Sequence, residues 1–239
     1  MKASLDTNVI LHLYRADKQN VLFDFFKEDI YMDEFIYNVE LKNHGADIKE
    51  KLDKDINSGK IQVVTEEKLR ELGIHSLYDE YLQEESILYS SADRGEACAI
   101  ALARVLGAVS VVTDDTKPCG PHHTLMSLPE SDIIPFADYE IIIMLFLLNV
   151  YSVEEVVQTI DQICKASPDY KFDVIQKIKK FINRTIRDPY SERDKAWFTE
   201  FAKEHNFDIK YKLTILLKEF RKAIKNDKRI SLKATNKDA

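Results

Sequence analysis

The sequence predicts an α/β domain with a central parallel β-sheet, followed by an all-helical C-terminal domain. Through residue 136, short apolar or β-branched runs alternate with segments of helical periodicity, which is the pattern of a parallel sheet covered by helices. From about Asp138 onward every predicted segment is helical. We place the domain boundary at residue 150, which gives domains of residues 1–150 and 151–239.

The first domain contains five predicted strands. The run at 109–113 is β-branched, as expected for a buried parallel strand, and the others are short apolar runs beside polar breaks. The strands are predicted at residues 2–5, 29–33, 60–65, 109–113 and 133–136. The helices between them are predicted from residue 7 through the region of residue 26, and at 35–43, 47–57, 66–72, 76–89 and 93–106. A loop is predicted at 118–123, where prolines are frequent.

The second domain is predicted to contain only helices. Ser152 with Glu155, and more weakly Ser191 with Asp194, have the spacing of a helix-starting capping box. The apolar run at 141–150 is too short to span a bilayer, so we expect a buried helix there. The helices are predicted at residues 139–150, 153–165, 169–186, 192–205 and 210–225.

Composition favours an ordinary globular protein in a reducing compartment. The chain has 239 residues, 45% of them hydrophobic and 31% charged. Three widely spaced cysteines argue against a disulfide framework, and no secretory start is evident. We therefore expect a cytoplasmic protein with no membrane contact.

Charge is distributed unevenly between the two predicted domains. Residues 1–150 contain 14 basic and 27 acidic side chains, a net −13, whereas residues 151–239 contain 20 and 14, a net +6. Such asymmetry suggests two functional surfaces. An acidic domain that hydrolyses a polyanion would need cations and a basic surface to attract its substrate.

Four carboxylates occur where a divalent-metal site would need them. Asp6 and Asp114 follow apolar strands, while Glu40 and Glu96 are on predicted helices. Because the carboxyl ends of parallel strands meet at one edge of the sheet, Asp6 and Asp114 can be neighbours. Several converging acids need a cation between them, since burying unpaired charge is costly.

Each acid also has an ordinary structural explanation. Asp6 could cap the helix that begins at Thr7, and Asp93 with Glu96 fits a capping box. Glu40 could be a solvated helix residue, and Asp114 could belong to a plain turn.

Two further patterns suggest binding. Cys119, His122 and His123 supply at most half a zinc site, so a proline-containing loop is the better interpretation. The helix at 210–225 has an apolar face, and its opposite face is either an ordinary solvated surface or a phosphate-binding one. Its candidate nucleic-acid-binding residues are Lys212, Lys218, Arg221 and Lys222.

The ordered set of motifs resembles the PIN-domain nucleases, which include the VapC-like toxins and related bacterial and archaeal ribonucleases. The resemblance rests on Asp6-Thr7-Asn8-Val9-Ile10-Leu11, on Glu40, on Gly95-Glu96-Ala97-Cys98-Ala99-Ile100-Ala101-Leu102-Ala103 and on Val112-Thr113-Asp114-Asp115. It covers roughly the first 135–150 residues, which is a typical domain size.

The resemblance implies a PIN-like three-layer fold and phosphodiesterase activity with Mg²⁺ or Mn²⁺. Asp6, Glu40, Glu96 and Asp114 would be catalytic metal ligands, with Asp115 a further ligand; Thr7, Asn8, Asp93 and Thr113 would support them. The chain departs from the family pattern in having Glu96, where many members have Asp, and in its long helical region after residue 150.

The expected function is therefore endoribonuclease activity, as in a toxin of a toxin–antitoxin pair or an RNA-processing nuclease. The alternatives are a DNA nuclease and a catalytically weak nucleic-acid- or protein-binding module. The expected partner is RNA or single-stranded DNA. An antitoxin or other protein regulator, and a second copy of the chain, are further candidate partners.

Overall fold

The fold is described from a computed structural model. The structure describes residues 1–27, 29–89, 94–117, 120–128, 131–167, 174–187 and 192–226, without the side chains of residues 223–226. Contacts divide the chain into two compact units, Met1–Asp138 and Tyr139–Ala239. The domain boundary at residue 150 stays a prediction.

The first unit contains a five-stranded, all-parallel sheet, which confirms the predicted α/β class. The strands lie in the order β3-β2-β1-β4-β5. In the register of the two central strands, Leu5 pairs with Val112, so the chain leaves both strands at the same edge. The strands are β1 (Ala3–Leu5), β2 (Ile30–Asp33), β3 (Gln62–Val64), β4 (Ser110–Val112) and β5 (Ile134–Phe136).

Helices connect these strands, largely where the sequence predicts them. The predicted helix at 35–43 contains a π-helical turn, Ile36–Glu40. The loop prediction at 118–123 was wrong over its second half, because Pro121 occupies the first turn of a helix, where its missing N–H costs nothing. The helices are α1 (Thr7–Arg15), α2 (Asn20–Phe25), α3 (Leu41–His44), α4 (Lys49–Asn57), α5 (Glu66–Glu71), α6 (His75–Leu88), α7 (Arg94–Leu106) and α8 (Pro121–Ser127).

Helix α7 packs directly on the sheet. It contacts β1, β2 and β4, and its residues Ala97 to Ala103 are all buried. Four of these seven residues are alanines, which let a helix backbone approach closely. This packing fixes the first turn of α7, which contains Glu96.

The second unit is helical in all its described parts. The predicted capping box at α10 is confirmed, since Glu155 N–H donates to Ser152 Oγ at 3.2 Å and Ser152 N–H donates to Glu155 Oε2 at 2.7 Å. The other predicted box includes Ser191, which lies outside the described residues. The helices are α9 (Asp138–Leu147), α10 (Val153–Ala166), α11 (Val174–Ile182), a π-helical turn (Asn183–Arg187), α12 (Glu192–Glu204) and α13 (Ile209–Asn226).

A buried ion-pair network lies inside the helical unit. Arg184 donates from Nη1 to Glu140 Oε2 at 2.7 Å and from Nε to Asp194 Oδ2 at 2.8 Å. All three side chains are at most 2% exposed. Within the described residues, no helix has both the length and the apolar character needed to cross a bilayer.

Candidate active site

Acidic side chains mark one edge of the parallel sheet. Asp6 directly follows β1, and Asp33 is the last residue of β2. Asp114 and Asp138 each come two residues after the end of their strand, β4 and β5. Because all five strands are parallel, these residues share the carboxyl edge of the sheet, where α/β proteins place their sites.

Three of the four predicted acids line one cleft at this edge, with a volume of about 460 Å³. Asp6 comes from the end of a strand, Glu40 from the last position of the π-helical turn, and Glu96 from the first turn of α7. The other lining residues are Thr7, Asn8, Leu11, Arg15, His44 and Gly95.

Asp6 is a buried carboxylate whose ionisation is disfavoured. It is 2% exposed and occupies the N-cap position of α1, but it makes no side-chain capping hydrogen bond. Burial raises its pKa to about 7; the Thr7 amide opposes this rise, and the charges of Glu40 and Asp114 add to it. Helix capping by its side chain therefore does not explain why a buried aspartate occupies position 6.

Thr113 connects Asp6 to the loop after β4. Its hydroxyl donates to Asp6 Oδ2 at 3.3 Å and accepts a hydrogen bond from the Asp115 amide, also at 3.3 Å. Thr113 is fully buried. The threonine thus orients the Asp6 carboxylate.

Glu40 is held between α1 and α7. The Thr7 hydroxyl donates to Glu40 Oε2. On the other side, a Cβ atom on Gly95 would lie 2.4 Å from both carboxylate oxygens of Glu40. Glu40 is half-buried, so it is positioned by its neighbours rather than extended into solvent.

Glu96 faces the same cleft and is half-buried. Its charge also contributes to raising the pKa of the Tyr89 hydroxyl, after burial and the charge of Glu85. Asp93, its predicted capping-box partner, lies outside the described residues.

Asp114 does not line this cleft and instead faces His12 of α1. Its Oδ2 lies 2.6 Å from His12 Nδ1, and its Oδ1 accepts the Asp138 amide at 3.0 Å. Candidate ligand atoms of His12, Asp114 and Asp138 lie within 4.8 Å of one another. In the described part of the chain, this is the one group of three or more potential ligands that meets this distance.

Asp115 stabilises the turn that follows β4. Its Oδ1 accepts the Lys117 amide at 3.0 Å, and its Oδ2 lies 3.7 Å from Lys117 Nζ. A Cβ atom on Gly120 would lie 2.6 Å from Asp115 Oδ1, so the carboxylate is also packed against the loop. The contacts of Asp115 are those of a turn residue.

Comparison with known proteins identified no relative of this chain. Family models, curated proteins and solved structures gave no match to the chain.

The sequence analysis did not identify three residues that lie at this edge of the sheet: Asp138, His12 and Asp33. Asp138 follows its strand by the same two residues as Asp114 does, a signal that the sequence contained. His12 gave no such signal, because only the packing of α1 brings it to Asp114. Asp33 accepts from the Tyr78 hydroxyl at 2.7 Å and from the Phe35 amide at 2.8 Å, and burial raises its pKa.

The other predicted binding residues lie outside this centre. Lys212 Nζ donates to Leu147 O at 2.6 Å, and burial lowers its pKa. Lys218, Arg221 and Lys222 are exposed. Of the weak zinc pattern, Cys119 is outside the described residues, and neither histidine belongs to the ligand group above.

Proposed function

We propose that this chain is a Mg²⁺- or Mn²⁺-dependent phosphodiesterase that cleaves RNA internally, and that its first unit has a PIN-like fold. One observation carries the proposal: Asp6, Glu40 and Glu96 come from three different elements to line a single cleft. Asp114 lies close enough for its charge to raise the pKa of Asp6. Acids concentrated in this way indicate a site for a cation and an anionic substrate.

The donor atoms fit a hard divalent cation. The three cleft acids offer carboxylate oxygens, which are the ligands that Mg²⁺ and Mn²⁺ prefer. Deprotonating the buried Asp6 is unfavourable in the free protein, and a cation would reverse that penalty. His12, beside Asp114, adds a nitrogen donor, which suits Mn²⁺ better than Mg²⁺.

The protein's own residues fix the ligands before substrate arrives. Thr7 and Gly95 set the position of the Glu40 carboxylate, and Thr113 sets that of Asp6. A bound cation would neutralise charge on the phosphate and acidify a water for attack. Asp6, Glu40 and Glu96 would hold this cation, with Asp114 beside them. As the resemblance to PIN-domain nucleases implies, water would displace the 3′-oxygen, so that the products carry a 5′-phosphate and a 3′-hydroxyl.

The test compares purified protein with its Asp6→Asn variant on mixed RNA and on single-stranded DNA, in Mn²⁺, Mg²⁺ or EDTA. We expect RNA cleavage that requires the metal and is lost in the variant. Glu66→Gln is the matched control, because Glu66 is an exposed acid outside the cleft. It should cleave like the parent.

Three outcomes would overturn parts of the proposal. Preferential cleavage of DNA would identify a DNA nuclease. Products with a 2′,3′-cyclic phosphate would exclude attack by water. Absence of both cleavage and Mn²⁺ binding by calorimetry would favour a binding module.

A further inference from the structure

The acidic cleft has a basic end. Arg15, the last residue of α1, and His44, the last residue of α3, line the same cleft as the three carboxylates. They are the two basic side chains among the nine residues that line it. A cleft that only held a metal ion would gain nothing from a guanidinium, since a cation repels it.

Arg15 is fixed in orientation by its neighbours. Its Nε donates to Asp47 Oδ2 at 2.8 Å, and its Nη2 donates to Asp47 Oδ1 at 3.2 Å and to His44 O at 2.7 Å. Its Nη1 donates no hydrogen bond within the described residues, and the side chain is 32% exposed. The guanidinium is thus held by one edge while Nη1 stays available to a ligand.

The distance along α1 determines what Arg15 can bind. Asp6 occupies the N-cap position of this nine-residue helix and Arg15 is its last residue, so their backbone positions are about 13 Å apart along the helix axis at 1.5 Å per residue. Because Asp47 and the His44 carbonyl also hold its guanidinium, we expect Arg15 to contact a different group from the one held at Asp6. In a polynucleotide, the next anionic group beyond the reacting phosphate is another backbone phosphate.

We propose that Arg15 binds a backbone phosphate that flanks the scissile one, so that the strand runs along the cleft beside α1. This inference rests on the proposed nuclease function. A flanking phosphate lies beyond the charge of the metal ion, and an arginine donates charge-assisted hydrogen bonds to phosphate oxygens. Arg15 is a positioning residue in this account.

The competing explanation is that Arg15 has only a structural role, in which its ion pair with Asp47 connects α1 to the segment after α3. A partly exposed ion pair of this kind stabilises a fold by about 0–1 kcal/mol. The two explanations differ in what they predict. A structural tie changes thermal stability, whereas a phosphate contact changes the salt dependence of substrate binding.

The experiment measures binding of a fluorescent single-stranded RNA oligonucleotide by anisotropy, at constant Mn²⁺ and increasing KCl. All proteins are full-length and contain Asp6→Asn to prevent cleavage. We expect Arg15→Ala to raise Kd about tenfold and to reduce the slope of log Kd on log [KCl] by up to about 0.7, the loss of one phosphate contact to a single strand. Arg15→Lys should retain the slope while binding more weakly.

Arg70→Ala is the matched control, because it removes an exposed arginine that pairs with an acid outside the cleft. Its Kd and slope should equal those of the parent. With residue 6 restored to Asp, Arg15→Ala should raise KM more than it lowers kcat. Thermal melts of every variant show whether folding is retained.

The outcomes separate this inference from the proposed function. If the parent binds and cleaves RNA but Arg15→Ala keeps the parental slope and Kd, the phosphate contact is excluded and the nuclease proposal stands. An Arg15→Ala change confined to the melting temperature also overturns the inference. If the parent neither binds nor cleaves RNA, both proposals fall together.

Discussion

The Glu40 carboxylate lies directly against the backbone of Gly95, where a Cβ atom would be 2.4 Å from both of its oxygens. Gly95 has a helical backbone conformation within α7. A glycine is needed there because Glu40 leaves no room for a side chain, and not because the backbone conformation is unusual. Helix α7 packs on the sheet, while Glu40 ends a π-helical turn on a separate segment. The missing side chain lets the two segments approach at the cleft.

Gly95→Ala should therefore impair activity without impairing folding. The added methyl group collides with the end of a flexible side chain, so Glu40 can move away at little cost. Alanine also favours a helix over glycine by about 0.5–1 kcal/mol. Displacement of a ligand by about 1 Å can reduce turnover on the order of 100-fold. We expect that reduction, with a melting temperature equal to or above the parent's.

Kinetic assays in Mn²⁺ together with thermal melts check this prediction. Glu40→Gln serves as the comparison, because it removes the charge while leaving α7 unchanged. Similar losses in the two variants would support displacement of Glu40 as the cause. If Gly95→Ala retains the kcat of the parent, catalysis does not require the Glu40 carboxylate at the position it has in the structure.

The buried Asp6 predicts an unusual pH dependence for the metal-free protein. Its pKa is raised from 3.8 to about 7 on folding, so between these values the folded state binds a proton that the unfolded state has lost. The contribution of Asp6 to the free energy of unfolding is therefore most favourable below pH 4, and it decreases as the pH rises to about 7. The full effect is on the order of 4 kcal/mol.

Chemical denaturation in EDTA at several pH values measures this effect. Asp6→Asn should be more stable than the parent at pH 8, with the difference shrinking toward pH 4. Mn²⁺ should stabilise the parent more at pH 8 than at pH 5, because carboxylate ligands bind metal when deprotonated. Parallel pH profiles for parent and variant would contradict the burial of a protonated Asp6.

Local sequence signals predicted most of the fold. The β-branched run ending at Val112 and the alanine-rich segment after Gly95 are long or distinctive enough to identify a strand and a helix. The π-helical turn that ends at Glu40 was not predictable in this way, because local apolar spacing does not distinguish it from an α-helix. The helix at Pro121 was missed because proline and glycine suggested a loop.

For the arrangement of the candidate site, the sequence predicted only the positions that follow the ends of strands. Parallel strands place Asp6 and Asp114 at the same edge of the sheet, and the pairing of β1 with β4 makes them neighbours. The approach of His12 to Asp114 depends on how α1 packs, and that of Glu40 to Gly95 on a contact between distant segments. Neither leaves a local pattern, and the metal-binding role of the acids stays a prediction.

Arg184 should be essential to the stability of the helical unit. It neutralises two buried carboxylates at once, and its removal would take this ion pair from Glu140 and leave Asp194 with its ion pair to Arg193. Breaking a buried pair in this way costs about 3–5 kcal/mol. Arg184→Lys should not restore stability, because the two ion pairs use two different nitrogens of one planar guanidinium.

Urea unfolding followed by circular dichroism measures these changes. Arg187→Ala is the control, since Arg187 is exposed in the same π-helical turn. It should alter the free energy of unfolding by less than about 0.5 kcal/mol. An equally small change in Arg184→Ala would mean that Glu140 and Asp194 are protonated or find other partners.

The basic residues of α13 should separate into two groups. Lys212 donates to the carbonyl of Leu147 and, at 2.5 Å, to Asn149 Oδ1, so it stabilises the end of α9. Lys218 and Arg221 are exposed and can reach a phosphate backbone. Lys212→Ala should therefore reduce the melting temperature by a few degrees, corresponding to about 1 kcal/mol, and leave RNA binding unchanged.

The double variant Lys218→Ala/Arg221→Ala should behave in the opposite way if α13 holds RNA. Its melting temperature should be parental, and the slope of log Kd on log [KCl] should fall by up to about 1.4, since two contacts are lost. An unchanged slope would leave these side chains as an ordinary solvated face. A lower slope in Lys212→Ala with parental stability would mean that its ammonium leaves Leu147 to bind substrate.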